Sequence, residues 1–97
     1  MLGWFNAKEA DRFAGELSAF VLKELSGAGA LKDAKYRARL DKVLTRADRQ
    51  VRDFKAAHPL NFYKKSRLAN RFLWSLKDGG CAEDVAAELT DWLTLRL

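Results

Sequence analysis

Ninety-seven residues, 48% apolar and 32% charged with a net charge of +5, suit one globular domain (1–97) and leave little room for two. The composition excludes a disordered chain, and a chain this short buries a thin core, removing roughly 60–70% of its unfolded surface from water. The longest unbroken apolar run, Ala19-Phe20-Val21-Leu22, falls far short of the ~20 residues that cross a bilayer, so no membrane insertion is expected.

Glycine and proline are few, and no stretch alternates β-branched or aromatic residues with polar ones, which argues for an all-α fold. The opening Met1-Leu2-Gly3-Trp4-Phe5 has no basic segment followed by an apolar one, so no signal peptide is expected. Asn6 supplies a helix N-cap, with Glu9 three residues on as in a capping box, and Phe5 can fold over Ala10. Trp4 and Phe5 are expected to close one end of a bundle. The first helix is predicted to run to about Leu25, with Phe13, Leu17, Phe20, Val21 and Leu25 inward. Ser26-Gly27-Ala28-Gly29 ends it, because glycine tolerates the left-handed conformation after a helix.

The second predicted helix is the element the others must cover. From Ala34 to Ala57 there is no Gly or Pro, and Tyr36, Leu40, Val43, Leu44, Ala47, Val51 and Phe54 keep one side at ~100° per residue. At ~1.5 Å per residue such a helix is ~36 Å long, and alone it could not keep that stripe dry. Asp33 serves as its cap, and His58-Pro59 stops it, since proline disfavours helical geometry in the residue before it. Asn61 caps a third helix, Phe62 to about Lys77, with Phe62, Ala69, Phe72, Leu73 and Leu76 inward and Leu68 at the margin. Asp78-Gly79-Gly80 breaks the chain again. A fourth helix, about Ala82 to Leu95, turns Val85, Ala86, Leu89, Trp92 and Leu93 inward and places Glu83 and Asp84 where the dipole favours acids. The expected architecture is an all-α, compact four-helix domain with one long central helix.

Charge is segregated by helix: −1 over residues 1–29, +5 over 30–57, +5 over 58–77 and −4 over 78–97. On the second helix Lys35, Arg39, Lys42, Arg46 and Arg49 recur at steps of 4, 3, 4 and 3, a straight stripe. Asp41 and Asp48 stand four residues from Arg37 and Arg52 and can pair with them. On the third helix Lys64, Arg67 and Arg71 share a face bordered by Tyr63 and Trp74, two aromatics outside the predicted core. Spaced cations suit an acidic protein surface. They also suit phosphates, with the aromatic rings open to an unpaired base. The bland alternative is a solvated face whose aliphatic stems cover the edge of the core. A helix-turn-helix reading of helices three and four fails on charge, because Glu83, Asp84, Glu88 and Asp91 would repel the duplex.

Catalytic constellations are not apparent. His58 is the only histidine and reads as a C-terminal turn residue, and Cys81 reads as a small residue whose neighbours Glu83 and Asp84 oppose a thiolate. One cysteine excludes an intramolecular disulfide and leaves a Cys/His metal site short of ligands. A Cys81–His58 dyad stays open in one dimension, with no third orienting group. Gly27-Ala28-Gly29 is no phosphate loop, since it follows a helix and lacks the downstream Lys-Ser/Thr. No catalytic, metal or cofactor residue is assigned.

The segments GWFNAKEA at 3–10 and LNFYKKSRLANRFLWSLKDGG at 60–80 resemble a group of small uncharacterised bacterial helical proteins. These open with Gly-Trp-Phe and start a later helix with Leu-Asn-(Phe/Leu)-Tyr-Lys-Lys. The resemblance implies a bacterial, cytosolic, helical protein and carries no activity, cofactor or site. It draws attention to Asn61, Tyr63, Lys64 and Lys65. Asn61 is explained as a cap, whereas folding alone does not explain the other three.

The sequence therefore leads to a cytoplasmic, non-catalytic interaction module. It binds an acidic protein partner through Lys35, Arg39, Lys42, Arg46, Arg49, Tyr63, Lys64, Arg67, Arg71 and Trp74, with self-association as a further expectation. The alternative is non-sequence-specific binding of single-stranded nucleic acid by the same face.

Overall fold

Four helices occupy the described residues of the computed structural model, 7–25 and 33–97: α1 (Lys8–Glu24), α2 (Asp33–Ala57), α3 (Phe62–Asp78) and α4 (Glu83–Arg96). No strand occurs among the described residues. The roles expected of Trp4, Phe5, Asn6 and Ser26–Gly29 lie outside them. Asn61 caps α3 as its chemistry requires, its side-chain oxygen accepting from the Lys64 N–H at 2.8 Å. The end of α3 is closed by Gly80 at φ 89, with the Cys81 N–H donating to the Leu76 carbonyl and the Gly80 N–H to that of Lys77. That pair of bonds needs a left-handed residue between helix and exit, and glycine adopts it without a Cβ clash.

Side-chain contacts fix the arrangement. Asp11 meets Arg67 near the starts of α1 and α3, and a Leu22 methyl occupies the place a Gly79 side chain would take near their ends. These two helices therefore run parallel and are closely packed. Helix α2 runs back along the other flank of α1: Phe13 stacks on Phe54 at 4.3 Å, and Glu24 receives Arg39 and Arg46. Arg96 of α4 reaches Asp48 at 3.1 Å and Lys55 donates to the Arg96 carbonyl, which sets the end of α4 beside α2. With α4 packed on α3 as well, the order around the bundle is α1, α3, α4, α2. The consecutive helices α2 and α3 are thus placed across a diagonal.

Leu17, Val21, Val51, Leu68, Phe72, Leu76 and Leu93 form the fully enclosed centre of the core. Among the described residues the one buried polar residue, Ser18, donates to the Gly15 carbonyl at 2.9 Å, and no buried side-chain polar atom lacks a partner. All seven α2 stripe residues are buried or packed against the core, as are the five expected on α4. On α3 the expectation needs correction. Phe62 is 82% exposed, and Leu68, placed at the margin, is completely buried. The buried ridge is the i, i+4, i+8 row Leu68, Phe72, Leu76, which is turned toward Leu68 relative to the stripe inferred from sequence. Phe62 stands at the first position of the helix, where the bundle ends.

Candidate functional site

The basic row of α2 is set by the helix period. The core stripe fixes one side of α2, Asp41, Leu44 and Asp48 turn toward Trp92 and Arg96 of α4, and the opposite flank is left to Lys35, Arg39, Lys42, Arg46 and Arg49. All five are exposed. Two of them are anchored to α1. Arg39 donates to the Glu24 backbone carbonyl at 2.9 Å, and Arg46 stands 3.7 Å from the Glu24 carboxylate with its guanidinium 5.3 Å from the centre of the Phe20 ring. Lys35, Lys42 and Arg49 make no ion pair among the described residues. Between α1 and α2 the row borders a groove of about 450 Å³ lined by Glu24, Lys35, Ala38, Arg39, Lys42, Val43 and Arg46. Four cations face one carboxylate there, above a small apolar floor of Ala38 and Val43.

The α3 residues form a second, separate cluster. Arg67 makes a two-pronged contact with Asp11, both bonds 3.2 Å, and also donates to the Tyr63 hydroxyl at 3.2 Å. The bond to Asp11, and then that to Tyr63, hold the guanidinium more firmly protonated than usual. Arg71 and Trp74 are exposed beside this pair, and with Asp11, Arg67 and Asn70 they line a shallow depression of about 220 Å³. Lys77 sits 4.9 Å from the centre of the Trp74 ring and 3.5 Å from Glu83. Tyr63, expected outside the core, is instead half-buried and packs against it. Lys64 is also half-buried and lines a different pocket, of about 280 Å³, with Lys8, Glu9, Phe54, His58 and Leu60.

The ten residues singled out from sequence are therefore not brought onto one continuous face. Helix α1 separates the two groups, and its contacts to them, Glu24 and Asp11, are thirteen residues apart, ~20 Å along the helix. Both carboxylates were missed as site elements by sequence reasoning. Nothing local marks them, since their partners, Arg46 and Arg67, come from 22 and 56 residues away. Asp48 behaves as the spacing predicted, pairing with Arg52 at 3.0 Å and in addition with Arg96, whereas Asp41 and Arg37 make no ion pair among the described residues.

Helix α4 does little to neutralise either group. Among the described residues its only ion pair toward α3 is Glu83 with Lys77, while Asp84, Glu88 and Asp91 are exposed and unpaired with any cation. Burial pushes the Cys81 thiol up, with the field of Asp84 adding to it, so this cysteine is held protonated rather than activated. His58, its ring tilted against that of Phe54 with centres 4.9 Å apart, precedes α3, and Cys81 follows it. The 17 residues of α3, ~26 Å, stand between the two and prevent a dyad. No group of His, Cys, Asp and Glu among the described residues is arranged to hold a metal ion, and no described helix is long and apolar enough to cross a membrane.

No family model, curated protein or solved structure matches the chain.

Proposed function

We propose that the chain is a non-catalytic, cytoplasmic interaction module that binds an acidic protein partner through the basic surfaces of α2 and α3, with the α2 row as the principal contact. The observation that carries this reading is the row itself. Five cations repeat at steps of 4 and 3 on an exposed flank, and three of them make neither an ion pair nor a hydrogen bond among the described residues. Solvated lysines need no such order. A helix or extended segment with carboxylates at matching intervals would gain several contacts at once, while Ala38 and Val43 offer apolar area beneath them. Assignment to the cytoplasm accords with a single thiol that has no disulfide partner within the chain.

Binding of single-stranded nucleic acid is the second reading, and the half-exposed Trp74 beside Arg71 favours it. Two features weigh against it. Lys77 already covers a face of the Trp74 ring, and the two cation groups are divided by α1. Fluorescence anisotropy with a polyglutamate peptide and with an oligonucleotide separates the two. The proposal expects salt-sensitive peptide binding that is weakened at least ten-fold in Lys35→Gln/Lys42→Gln/Arg49→Gln and weakened less in Arg71→Gln/Trp74→Ala. Oligonucleotide affinity that falls with salt, with a log–log slope reduced by ~0.7 for each cation removed, would instead establish phosphate contacts. Absence of peptide binding at ~50 mM salt, where screening is weak, would overturn the module reading.

An enzymatic role through Cys81 has its own measurement. Because the folded thiol is pushed up, iodoacetamide at neutral pH should alkylate native Cys81 more slowly than Cys81 of the denatured chain. Faster labelling in the native state would reopen a nucleophilic role.

A further inference from the structure

The outer face of α4 carries a row that matches the α2 row in spacing and opposes it in sign. Asp84, Glu88 and Asp91 follow at steps of 4 and 3, and the next step of 4 reaches Leu95. The three acids are exposed. Glu88 and Asp91 make no hydrogen bond or ion pair among the described residues, and Asp84 only accepts from the neighbouring Val85 N–H. Leu95 is 85% exposed. Rows that advance by alternating 3 and 4 stay in register when two helices cross at a shallow angle of ~20°.

Within one molecule the two rows cannot meet. Helix α2 turns Asp41, Leu44 and Asp48 toward α4, and its basic row lies on the far flank beside Glu24 of α1. They can meet only between copies.

We propose that the chain self-associates, the α4 acidic row of one copy lying antiparallel along the α2 basic row of the next. This inference rests on the reading of the α2 row as a surface for an acidic partner, and it identifies that partner as a second copy of the chain. In the antiparallel register Asp84 meets Arg49, Glu88 meets Arg46, Asp91 meets Lys42, and Leu95 falls at Arg39, beside Ala38 and Val43 of the groove lining. Of the two registers, the antiparallel one also opposes the helix dipoles favourably. The contact joins two different surfaces and is heterologous, so growth is not limited to a dimer.

Sedimentation equilibrium on the full chain tests this, with circular dichroism confirming that each variant keeps its helicity. Wild type should exceed the 11.0 kDa monomer mass as concentration rises at low salt and return to it when salt screens the contact. Lys42→Gln/Arg49→Gln and Glu88→Gln/Asp91→Asn should each lose at least ten-fold in association, and Leu95→Ser should weaken it several-fold. The decisive arm is an equimolar mixture of the two double variants. One retains an acidic row and the other a basic row, so together they should recover a 1:1 pair and stop there. Monomeric wild type at every concentration overturns the proposal, as do double variants that associate like wild type or a mixture that recovers nothing. Wild type that stays monomeric yet binds polyglutamate through Lys42 and Arg49 ends the self-association and leaves the acidic-partner reading intact. Failure to bind either removes both.

Discussion

Helix α1 has two flanks, and they are built differently. Toward α3, the positions between Asp11 and Leu22 are Ala14 and Ser18, both buried and small, so the two helices approach closely and Arg67 closes the seam with a two-pronged bond to Asp11. Toward α2, the flank carries Phe13, Phe20 and Glu24, whose bulk holds the helices apart and leaves the groove beside Lys35, Arg39, Lys42 and Arg46. Interaxial distance follows side-chain size at the contact, and here one helix sets both a close and a wide spacing. The contrast separates two duties. The narrow seam concentrates burial and should hold most of the stability. The wide seam gives up some packing and leaves charged side chains, with an apolar floor, accessible to something outside the molecule.

The largest expected effect tests where stability resides. Phe72, 1% exposed, faces the core from α3, so Phe72→Ala should cost about 3–5 kcal/mol in urea unfolding, from lost transfer energy and a residual cavity. Phe54→Ala on the wide side removes the same chemical group, but the ring is only partly buried and stacked on Phe13. Its cost should be clearly smaller, and equality of the two would break the comparison. Next in size is a small-to-large pair. Ala14→Leu inserts three carbons into the narrow seam and should cost about 1–3 kcal/mol by overpacking. Ala38→Leu, on the floor of the open groove, should change stability by no more than about 0.5 kcal/mol. In the anisotropy assay Ala38→Leu sharpens the comparison further, because filling the groove should alter peptide affinity where Ala14→Leu, once folded, should not.

Much of the fold was legible because it is written in short-range periodicity. The α2 stripe, the α4 stripe, the Asn61 cap and the Gly79-Gly80 stop each depend on residues within a few positions of one another, and each appears where its local chemistry placed it. What was not legible depends on which helices become neighbours. Nothing in the spacing of Lys35 to Arg49 or of Lys64 to Arg71 states that α1 will lie between them. Nothing in Glu24 or Asp11 shows that an arginine will arrive from another helix. The small size of Ala14 and Ser18 was visible, yet its meaning, a close approach by α3, becomes readable only once α3 is in place. Segregation of charge was a sound clue to exposed rows, and it was mute about their relative positions.

The smallest expected effect concerns the residue whose environment sequence reasoning misjudged. Phe62 counted as core because it is apolar and opens a helix. The wheel, however, is set by Leu68, Phe72 and Leu76, and from that ridge Phe62 falls on an exposed flank at the bundle end. Replacing it by serine removes little burial, so Phe62→Ser should shift unfolding free energy by no more than about 0.5 kcal/mol. Leu68→Ala, which deletes a completely buried side chain six residues later, should cost about 2–5 kcal/mol in the same titration. If the order were reversed, the α3 ridge would have to be turned back toward Phe62. Leu68 would then no longer face α1, and the narrow seam on which the contrast between the two flanks depends would be lost with it.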